Sequence, residues 1–265
     1  PCRVNNTANE SRHAHQLRVT CTTTDAHRVC LNVHLPHPPH DGYQTKQESI
    51  AVQGVPNLVI RSLLNKQQFH DPRNAALDLG ISSAFWSLFG LLWPSGSRLA
   101  ERMALRPVNA DERILELGCG LGLASLVGHR RGANITAADC HPLAGEFLRE
   151  NLRLNHLSPM NYQHGQWGEH KPQIQDVAVN SKFDLIIGSD ILYERDERGD
   201  LAHYINEHIE DHAEVWVVDP NRGNRSHFHR NMAAQGFLLS EEALLVTATD
   251  TEAAYKGRML TYSRD

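Results

Sequence analysis

The sequence predicts an α/β fold with a doubly wound, mostly parallel, seven-stranded sheet. From about residue 110 onwards, short apolar runs of strand length alternate with segments that have the apolar periodicity of helices. Continuous apolar strands are typical of parallel sheets that are covered on both faces. A glycine-rich turn also follows the first of these strands, at residues 118–122. Together these features predict strand–helix–strand units with right-handed crossovers.

Residues 1–70 differ from this pattern and are predicted to form a β-rich N-terminal extension, with the main domain covering residues 71–265. Alternating apolar and polar residues at 17–21 and 29–35 predict two strands that a polar turn connects. Residues 50–60 predict further strand, broken where glycine, valine and proline follow one another. We expect this extension to lie outside any ligand site at the glycine-rich turn.

The histidines and cysteines do not form a recognisable metal or disulfide pattern. His34, His37 and His40 lie in a proline-rich stretch whose spacing matches no standard metal site, so we interpret it as a solvated loop and predict no metal. The five cysteines contain no C-x-x-C pair, which indicates reduced thiols. Cys119 and Cys140 flank the glycine-rich turn and are interpreted as small buried residues rather than nucleophiles.

Size and charge restrict the functions that fit. A chain of 265 residues can hold one large α/β domain with an appendage. Its net charge of -5 argues against a nucleic-acid partner, because non-specific binding to nucleic acid requires a basic surface. The longest apolar run, around residues 84–93, is too short to span a membrane. With no recognisable signal peptide, we expect an intracellular, cytoplasmic protein without a membrane partner.

The elements of the main domain can be predicted in order. Residues 74–105 have a helical pattern that Gly90 and Pro94 interrupt, and Pro94 suits the first position of a helix. The first strand covers residues 112–117. The later helices are predicted at residues 123–131, 142–156 and 201–209 and in a segment that ends at 235, before a glycine. The later strands are predicted at residues 134–138, 160–164, 183–189, 215–218, 237–246 and 259–262.

The glycine-rich turn predicts a cofactor site. Gly118 and Gly120 remove side chains where a ligand can approach main-chain N–H groups at a helix N-terminus. A dinucleotide fingerprint requires a third glycine at position 123, where this chain has Leu123. The chain instead has E-x-G-x-G, beginning at Glu116, and Asp139 at the end of the next strand. That separation suits a carboxylate that accepts hydrogen bonds from a ribose.

These motifs resemble the class I, seven-β-strand S-adenosylmethionine-dependent methyltransferases, and more narrowly the family-16 group that contains many protein-lysine methyltransferases. The resemblance runs from about residue 83 to the C-terminus. Its markers are residues 92–96, residues 116–120, Asp139 and the D-x-x-Y signature within residues 188–193. Two positions depart from the family pattern: Ser189 replaces the usual alanine, and Gln166 replaces the acid that usually precedes Trp167. Residues 218–222 also resemble a D-P-G-R stretch in relatives that act on an electron-transfer flavoprotein subunit.

The resemblance implies S-adenosylmethionine as cofactor and a role for each marker. Gly118 and Gly120 accommodate the methionyl part of the cofactor, and Asp139 binds the ribose hydroxyls. Asp190 and Tyr193 lie beside the transferred methyl group and are the implied catalytic residues. The implied cofactor-binding residues are Trp93, Glu116, Gly118, Cys119, Gly120, Asp139, Trp167 and Ser189.

Methyl transfer demands little of protein side chains, because the sulfonium carbon is already electrophilic and the enzyme mainly aligns the acceptor. An amine acceptor must be neutral, and Asp190 and Tyr193 can orient it while water takes its proton. The relatives that carry D-x-x-Y mostly act on lysine, so we expect N-methylation of a lysine on a protein partner. The alternatives are a small-molecule N- or O-methyltransferase and a non-catalytic cofactor-binding module.

Overall fold

The computed structural model describes residues 42–168, 177–193, 196–249 and 253–264. The strands predicted at residues 17–21 and 29–35 lie outside these residues, as do the three histidines of the proline-rich loop. None of the described helices combines the length and apolar character needed to cross a membrane.

A β-hairpin precedes the main sheet, with β1 at Thr45–Val52 and β2 at Val55–Leu63. The two strands are antiparallel, and the break between them falls at the glycine that the sequence indicated. The buried side chains of Leu58, Ile60 and Leu63 belong to the same apolar cluster as the helices that follow. A domain boundary near residue 70 stays a prediction, but this hairpin shares the core of the domain that it precedes.

Two asparagine side chains, one within the helix Ala144–Leu154 and one directly after it, complete the hydrogen bonding of β2. Asn155 accepts a hydrogen bond from the Val59 N–H (2.8 Å) and donates one to the Val59 carbonyl (2.7 Å). Asn151 accepts one from the Arg61 N–H (2.7 Å) and donates to the carbonyl of Leu121 (3.3 Å). These side-chain amides replace a neighbouring strand, because a buried main-chain N–H or C=O needs a partner. They also connect the hairpin to the glycine-rich turn.

The described helices are α1 Pro94–Leu105, α2 Leu123–Arg130, α3 Ala144–Leu154, α4 Asp200–His208 and α5 Arg225–Ala234. The remaining described strands are β3 Arg113–Leu117, β4 Asn134–Asp139, β5 Asn161–His164, β6 Phe183–Ser189, β7 Ile209–Asp219, β8 Leu238–Val246 and β9 Tyr255–Arg264. These seven strands form one sheet in the order β5-β4-β3-β6-β7-β9-β8. Strands β3 to β7 are parallel, and β9 is antiparallel to both of its neighbours. The predicted fold class is confirmed.

Alternate residues of β3 pack into two different apolar clusters, because successive side chains of a strand point to opposite faces. Ile114 packs with residues of α1, α2 and α3. Leu115 and Leu117 pack with residues of α4 and α5. Both faces of the sheet are therefore covered, which is why the central strands consist of apolar residues almost throughout.

The helical pattern predicted over residues 74–105 is wrong in its first half. The structure has two short 3-10 helices there, Leu77–Leu79 and Trp86–Gly90, and a regular helix only from Pro94 onwards. The carboxylate of Asp71 accepts hydrogen bonds from two main-chain N–H groups at the start of this segment, which favours turns over a continuous helix. The irregular segment matters for function because it forms one wall of the site.

Candidate functional site

A cavity of about 500 Å³ lies at the carboxyl ends of β3, β4 and β6. Ligands of open parallel sheets bind at such strand ends. Residues from all of the predicted motifs line this one cavity. They are Trp93, Glu116, Gly118, Cys119, Gly120, Asp139, Trp167, Ser189, Asp190 and Tyr193. All of the site residues predicted from the sequence therefore line one cavity. Their individual roles stay predictions.

The turn after β3 requires glycine for steric reasons. Gly118 and Gly120 have φ angles of 61° and 52°, a region that other residues rarely adopt. A Cβ atom on Gly120 would lie 2.8 Å from the carbonyl oxygen of Phe89, and one on Gly118 would lie 2.9 Å from a methyl group of Ile191. The bare main chain therefore forms this wall of the cavity, and a ligand can approach it closely.

Asp139 holds the same turn from the end of β4. One carboxylate oxygen accepts a hydrogen bond from the Gly120 N–H and the other accepts one from the His141 N–H, both at 2.8 Å. Burial raises the pKa of Asp139, and these N–H groups oppose the rise. Each carboxylate oxygen can accept more than one hydrogen bond. Asp139 can therefore organise the turn and bind a ribose hydroxyl at the same time.

Glu116 lies in β3, one residue before the end of the strand, and its side chain contacts α2. Its carboxylate accepts hydrogen bonds from the Ser125 N–H (2.8 Å) and from the Ser125 hydroxyl. Burial raises the pKa of Glu116 to about 7, although both hydrogen bonds from Ser125 oppose this. The carboxylate thus connects β3 to the first turn of α2.

The raised pKa of Glu116 predicts a specific pH dependence of stability. A carboxyl group whose pKa is raised on folding favours the folded state most at low pH, and this contribution is lost as pH rises through about 7. Each pKa unit corresponds to about 1.4 kcal/mol, so the loss is on the order of 3 kcal/mol. The glutamine in Glu116→Gln cannot ionise. The free energy of unfolding of this variant should therefore decline less than that of the parent chain between about pH 5 and about pH 8. Urea unfolding of both proteins checks this, and parallel pH curves would contradict it.

The two tryptophans lie on different sides of the cavity. Trp93 immediately precedes α1, and its indole N–H donates a hydrogen bond to the Leu88 carbonyl (2.9 Å). Trp167 approaches within 4.0 Å of where a Cβ on Gly118 would lie. These contacts fix flat apolar surfaces beside the glycine-rich turn, where a purine ring or an alkyl chain can pack.

Asp190 directly follows β6 in a left-handed conformation with a φ angle of 58°. One carboxylate oxygen forms an ion pair with Arg222, with Nη2 and Oδ1 2.9 Å apart. The other oxygen is buried and forms no well-aligned hydrogen bond with a described residue, although the Ser95 hydroxyl is close enough to act on Asp190 as a donor. Burial raises the pKa of Asp190, while the Ser95 hydroxyl and the Arg222 guanidinium oppose the rise. Because Asp190 also lines the cavity, its carboxylate can accept a further hydrogen bond from a ligand.

Tyr193 lies at the cavity rim, where its side chain is 44% exposed. Its ring is 6.3 Å from that of Phe85, which is also exposed. Cys119 is buried, and burial raises the pKa of its thiol well above the usual value. The thiol is therefore protonated at neutral pH, which agrees with the interpretation of Cys119 as an unreactive residue.

Among the cavity-lining residues that the sequence analysis gave no role are Phe89, His141 and Arg222, of which Arg222 was noted only as part of the D-P-G-R-like stretch. The rings of Phe89 and His141 are stacked at 3.7 Å. Burial lowers the pKa of His141 to about 3, so its ring is neutral. The position of His141 two residues after Asp139 was the available indication. Among the residues that the structure describes, no three histidine, cysteine or acidic side chains are placed to hold a metal ion.

S-adenosylmethionine fits this arrangement of residues. The side-chain-free turn can accept its methionyl part, and Asp139 offers acceptors for its ribose. The buried Asp190 oxygen lies on another strand end of the same cavity. The site thus provides both a cofactor position and a separate polar group for an acceptor.

Comparison with known proteins gives a family and several relatives. A family model described as lysine methyltransferase matches residues 87–235, which is more than half of the chain. The electron transfer flavoprotein beta subunit lysine methyltransferase of Xenopus laevis is 28% identical over 145 residues, covering 54% of this chain and 54% of that relative. Protein N-lysine methyltransferase METTL21A of Danio rerio is 36% identical over 86 residues, covering 31% and 37%.

A third relative is named for a different methyl acceptor, arginine. Histone-arginine methyltransferase METTL23 of Xenopus laevis is 28% identical over 133 residues, covering 48% of this chain and 55% of that relative. The chain therefore spans about half of the length of the curated relatives that it matches most extensively.

Proposed function

This chain belongs to the lysine methyltransferase family, and from that premise we propose that it transfers a methyl group from S-adenosylmethionine to a lysine side chain of a protein. The main support for the proposal is that residues matched by the family model line one cavity. They include the glycine-rich turn, Asp139, Asp190 and Tyr193. Two of the three relatives compared are named for lysine, and the third is named for arginine.

The protein's part in the reaction is to hold and orient the two partners. Bound S-adenosylmethionine supplies an electrophilic methyl group. Gly118 and Gly120 leave room for the methionyl part of the cofactor against the main chain, and the Asp139 carboxylate, which also accepts the Gly120 N–H, binds its ribose. This places the cofactor against the end of β3, next to the end of β6, because the two strands are paired. Alignment of this kind can supply most of the rate acceleration that such a transfer needs.

The acceptor side of the site is built from Asp190 and Tyr193. A lysine amine reacts only when it is neutral, and its remaining N–H groups then act as hydrogen-bond donors. The Asp190 carboxylate, which lines the cavity, is a charged acceptor for such a donor, and the Tyr193 hydroxyl at the rim is a second acceptor. Hydrogen bonds to a charged acceptor are about twice as strong as neutral ones, so Asp190 is the main orienting group. The amine proton leaves to water.

The test is transfer of a labelled methyl group. The purified chain is incubated with methyl-labelled S-adenosylmethionine and extract proteins, and Asp190→Asn is run in parallel as the inactive control. Mass spectrometry should find the label on lysine in proteins with the active chain only. Label on arginine or carboxyl groups, or on small molecules alone, would contradict the lysine proposal.

Two further expectations remain proposals of ours. We propose that residues 1–70 do not bind the cofactor but recognise the substrate or cover part of the site, since the cofactor motifs all lie later in the chain. We also propose an intracellular location, on the ground that the cysteines show no disulfide pattern.

A further inference from the structure

We infer that Arg222 is a positioning residue that fixes the orientation and the charge of the Asp190 carboxylate. The inference rests on the proposed function, in which Asp190 orients the acceptor amine. Arg222 lies in the turn that follows β7, and its side chain also lines the cavity. It is therefore close to the proposed acceptor site, although the sequence analysis placed it in the D-P-G-R-like stretch without giving it a role.

One guanidinium group holds both the side chain and the main chain of Asp190. Nη2 of Arg222 is 2.9 Å from Oδ1 of Asp190, and Nη1 donates a hydrogen bond to the Asp190 carbonyl at 3.4 Å. The Asp190 N–H in turn donates to the Val218 carbonyl at 3.0 Å. Because Asp190 has a left-handed conformation that aspartate adopts at a cost, these contacts decide where its carboxylate points.

Arg222 also supplies the positive charge that Asp190 needs. The groups around Asp190 are the Ser95 hydroxyl on α1, the Tyr255 hydroxyl on β9, and the buried carboxylate of Asp219 at the end of β7. The two hydroxyl oxygens are 3.0 Å apart and carry no charge. Asp219 carries a charge of the same sign as Asp190. The Ser95 hydroxyl opposes the effect of burial on the Asp190 pKa most strongly, and Arg222 is the cation that opposes it as well.

Loss of Arg222 should therefore raise the pKa of Asp190 and lower methyl transfer most at low pH. Burial already raises the pKa of Asp190, and without the guanidinium the pKa rises further. A protonated carboxyl group cannot act as a charged acceptor for the substrate amine. The loss of activity should be largest at low pH and should become smaller as pH rises past the new pKa. A purely structural role of Arg222 would instead lower activity by the same factor at every pH.

The matched control is Arg225, which belongs to the same polar region. Its Nε atom is 4.0 Å from the Asp219 carboxylate and its Nη1 is 3.8 Å from Glu241. It is not among the groups that act on Asp190. Arg225→Gln therefore removes an arginine of the region without removing the contacts to Asp190.

The experiment measures methyl transfer to the labelled extract proteins from about pH 6 to about pH 9, with calorimetric binding of S-adenosylmethionine alongside. Arg222→Gln should lower transfer by on the order of tenfold or more at the low end and by less at the high end, with cofactor affinity within about twofold of the parent chain. Arg225→Gln should keep the parent's pH profile. An equal loss at every pH for Arg222→Gln would overturn the inference.

A second measurement is independent of catalysis. Carboxyl-carbon NMR of the full chain, with Asp190 assigned through Asp190→Asn, should show a higher pKa of Asp190 in Arg222→Gln and an unchanged one in Arg225→Gln. An unchanged pKa in both variants would overturn the inference even if the parent chain transfers no methyl group. Absence of transfer by the parent chain, in contrast, contradicts the proposed function alone. Arg222→Lys keeps the charge and should keep the Asp190 pKa near the parent value.

Discussion

Asp190→Asn is expected to lower kcat for methyl transfer by about a hundredfold or more and to leave the Kd for S-adenosylmethionine nearly unchanged. Asparagine has the shape of aspartate but no charge. It therefore loses both the ion pair with Arg222 and the charged acceptor for the substrate amine. In the proposed arrangement the cofactor is bound at the ends of β3 and β4, so its affinity should not depend on this carboxylate.

Single-turnover kinetics and calorimetry separate the two effects. Tyr193→Phe is the companion variant, because it removes one neutral hydroxyl at the exposed rim of the same cavity. Its kcat should fall by about tenfold, since a neutral hydrogen bond contributes less than one to a charged group. If Asp190→Asn instead weakens cofactor binding and leaves kcat intact, Asp190 belongs to the cofactor site and the acceptor assignment is wrong.

The site could be predicted from the sequence because its residues stand at the ends of apolar runs. An apolar run followed by glycine or by a single acid marks the point where a buried strand ends, and parallel strands end at one edge of a sheet. That logic found Glu116, Asp139 and Asp190 without any knowledge of tertiary contacts. The structure brings all three to one cavity.

The remaining residues could not be found in this way, because their positions depend on tertiary packing. The His141 ring is neutral because it is buried, stacked on Phe89. Phe89 lies in an irregular segment before α1. That segment was predicted to be helical from its apolar spacing, whereas hydrogen bonds to the Asp71 carboxylate favour turns there. Arg222 was visible within a D-P-N-R stretch, but only the pairing of β6 with β7 shows that it contacts Asp190.

The other large effect is expected at Asp139, where substitution by alanine should raise the Kd for S-adenosylmethionine by at least about a hundredfold. In the proposed arrangement alanine removes the charged acceptor for the two ribose hydroxyls, and hydrogen bonds to a charged group contribute about 1.5–3 kcal/mol each. Losing two of them costs about 3 kcal/mol or more, which is a factor of about a hundred in Kd. Alanine also leaves the Gly120 and His141 N–H groups without their acceptor, but it does so in the free protein as well as in the complex, so this second loss lowers mainly the free energy of unfolding.

The measurement is calorimetric titration of the variant with S-adenosylmethionine, after circular dichroism has shown that it is folded. Ser189→Ala is the matched control. Ser189 lines the same cavity from the end of β6, but its side chain is a neutral hydroxyl rather than a carboxylate. Its Kd should change only a few-fold, as expected for one neutral hydroxyl. Asp139→Asn should lie between the two, since its amide oxygen can accept one N–H while its NH₂ group opposes the other. A folded Asp139→Ala protein that binds the cofactor within tenfold of the parent chain would contradict the proposed binding of the ribose by this carboxylate.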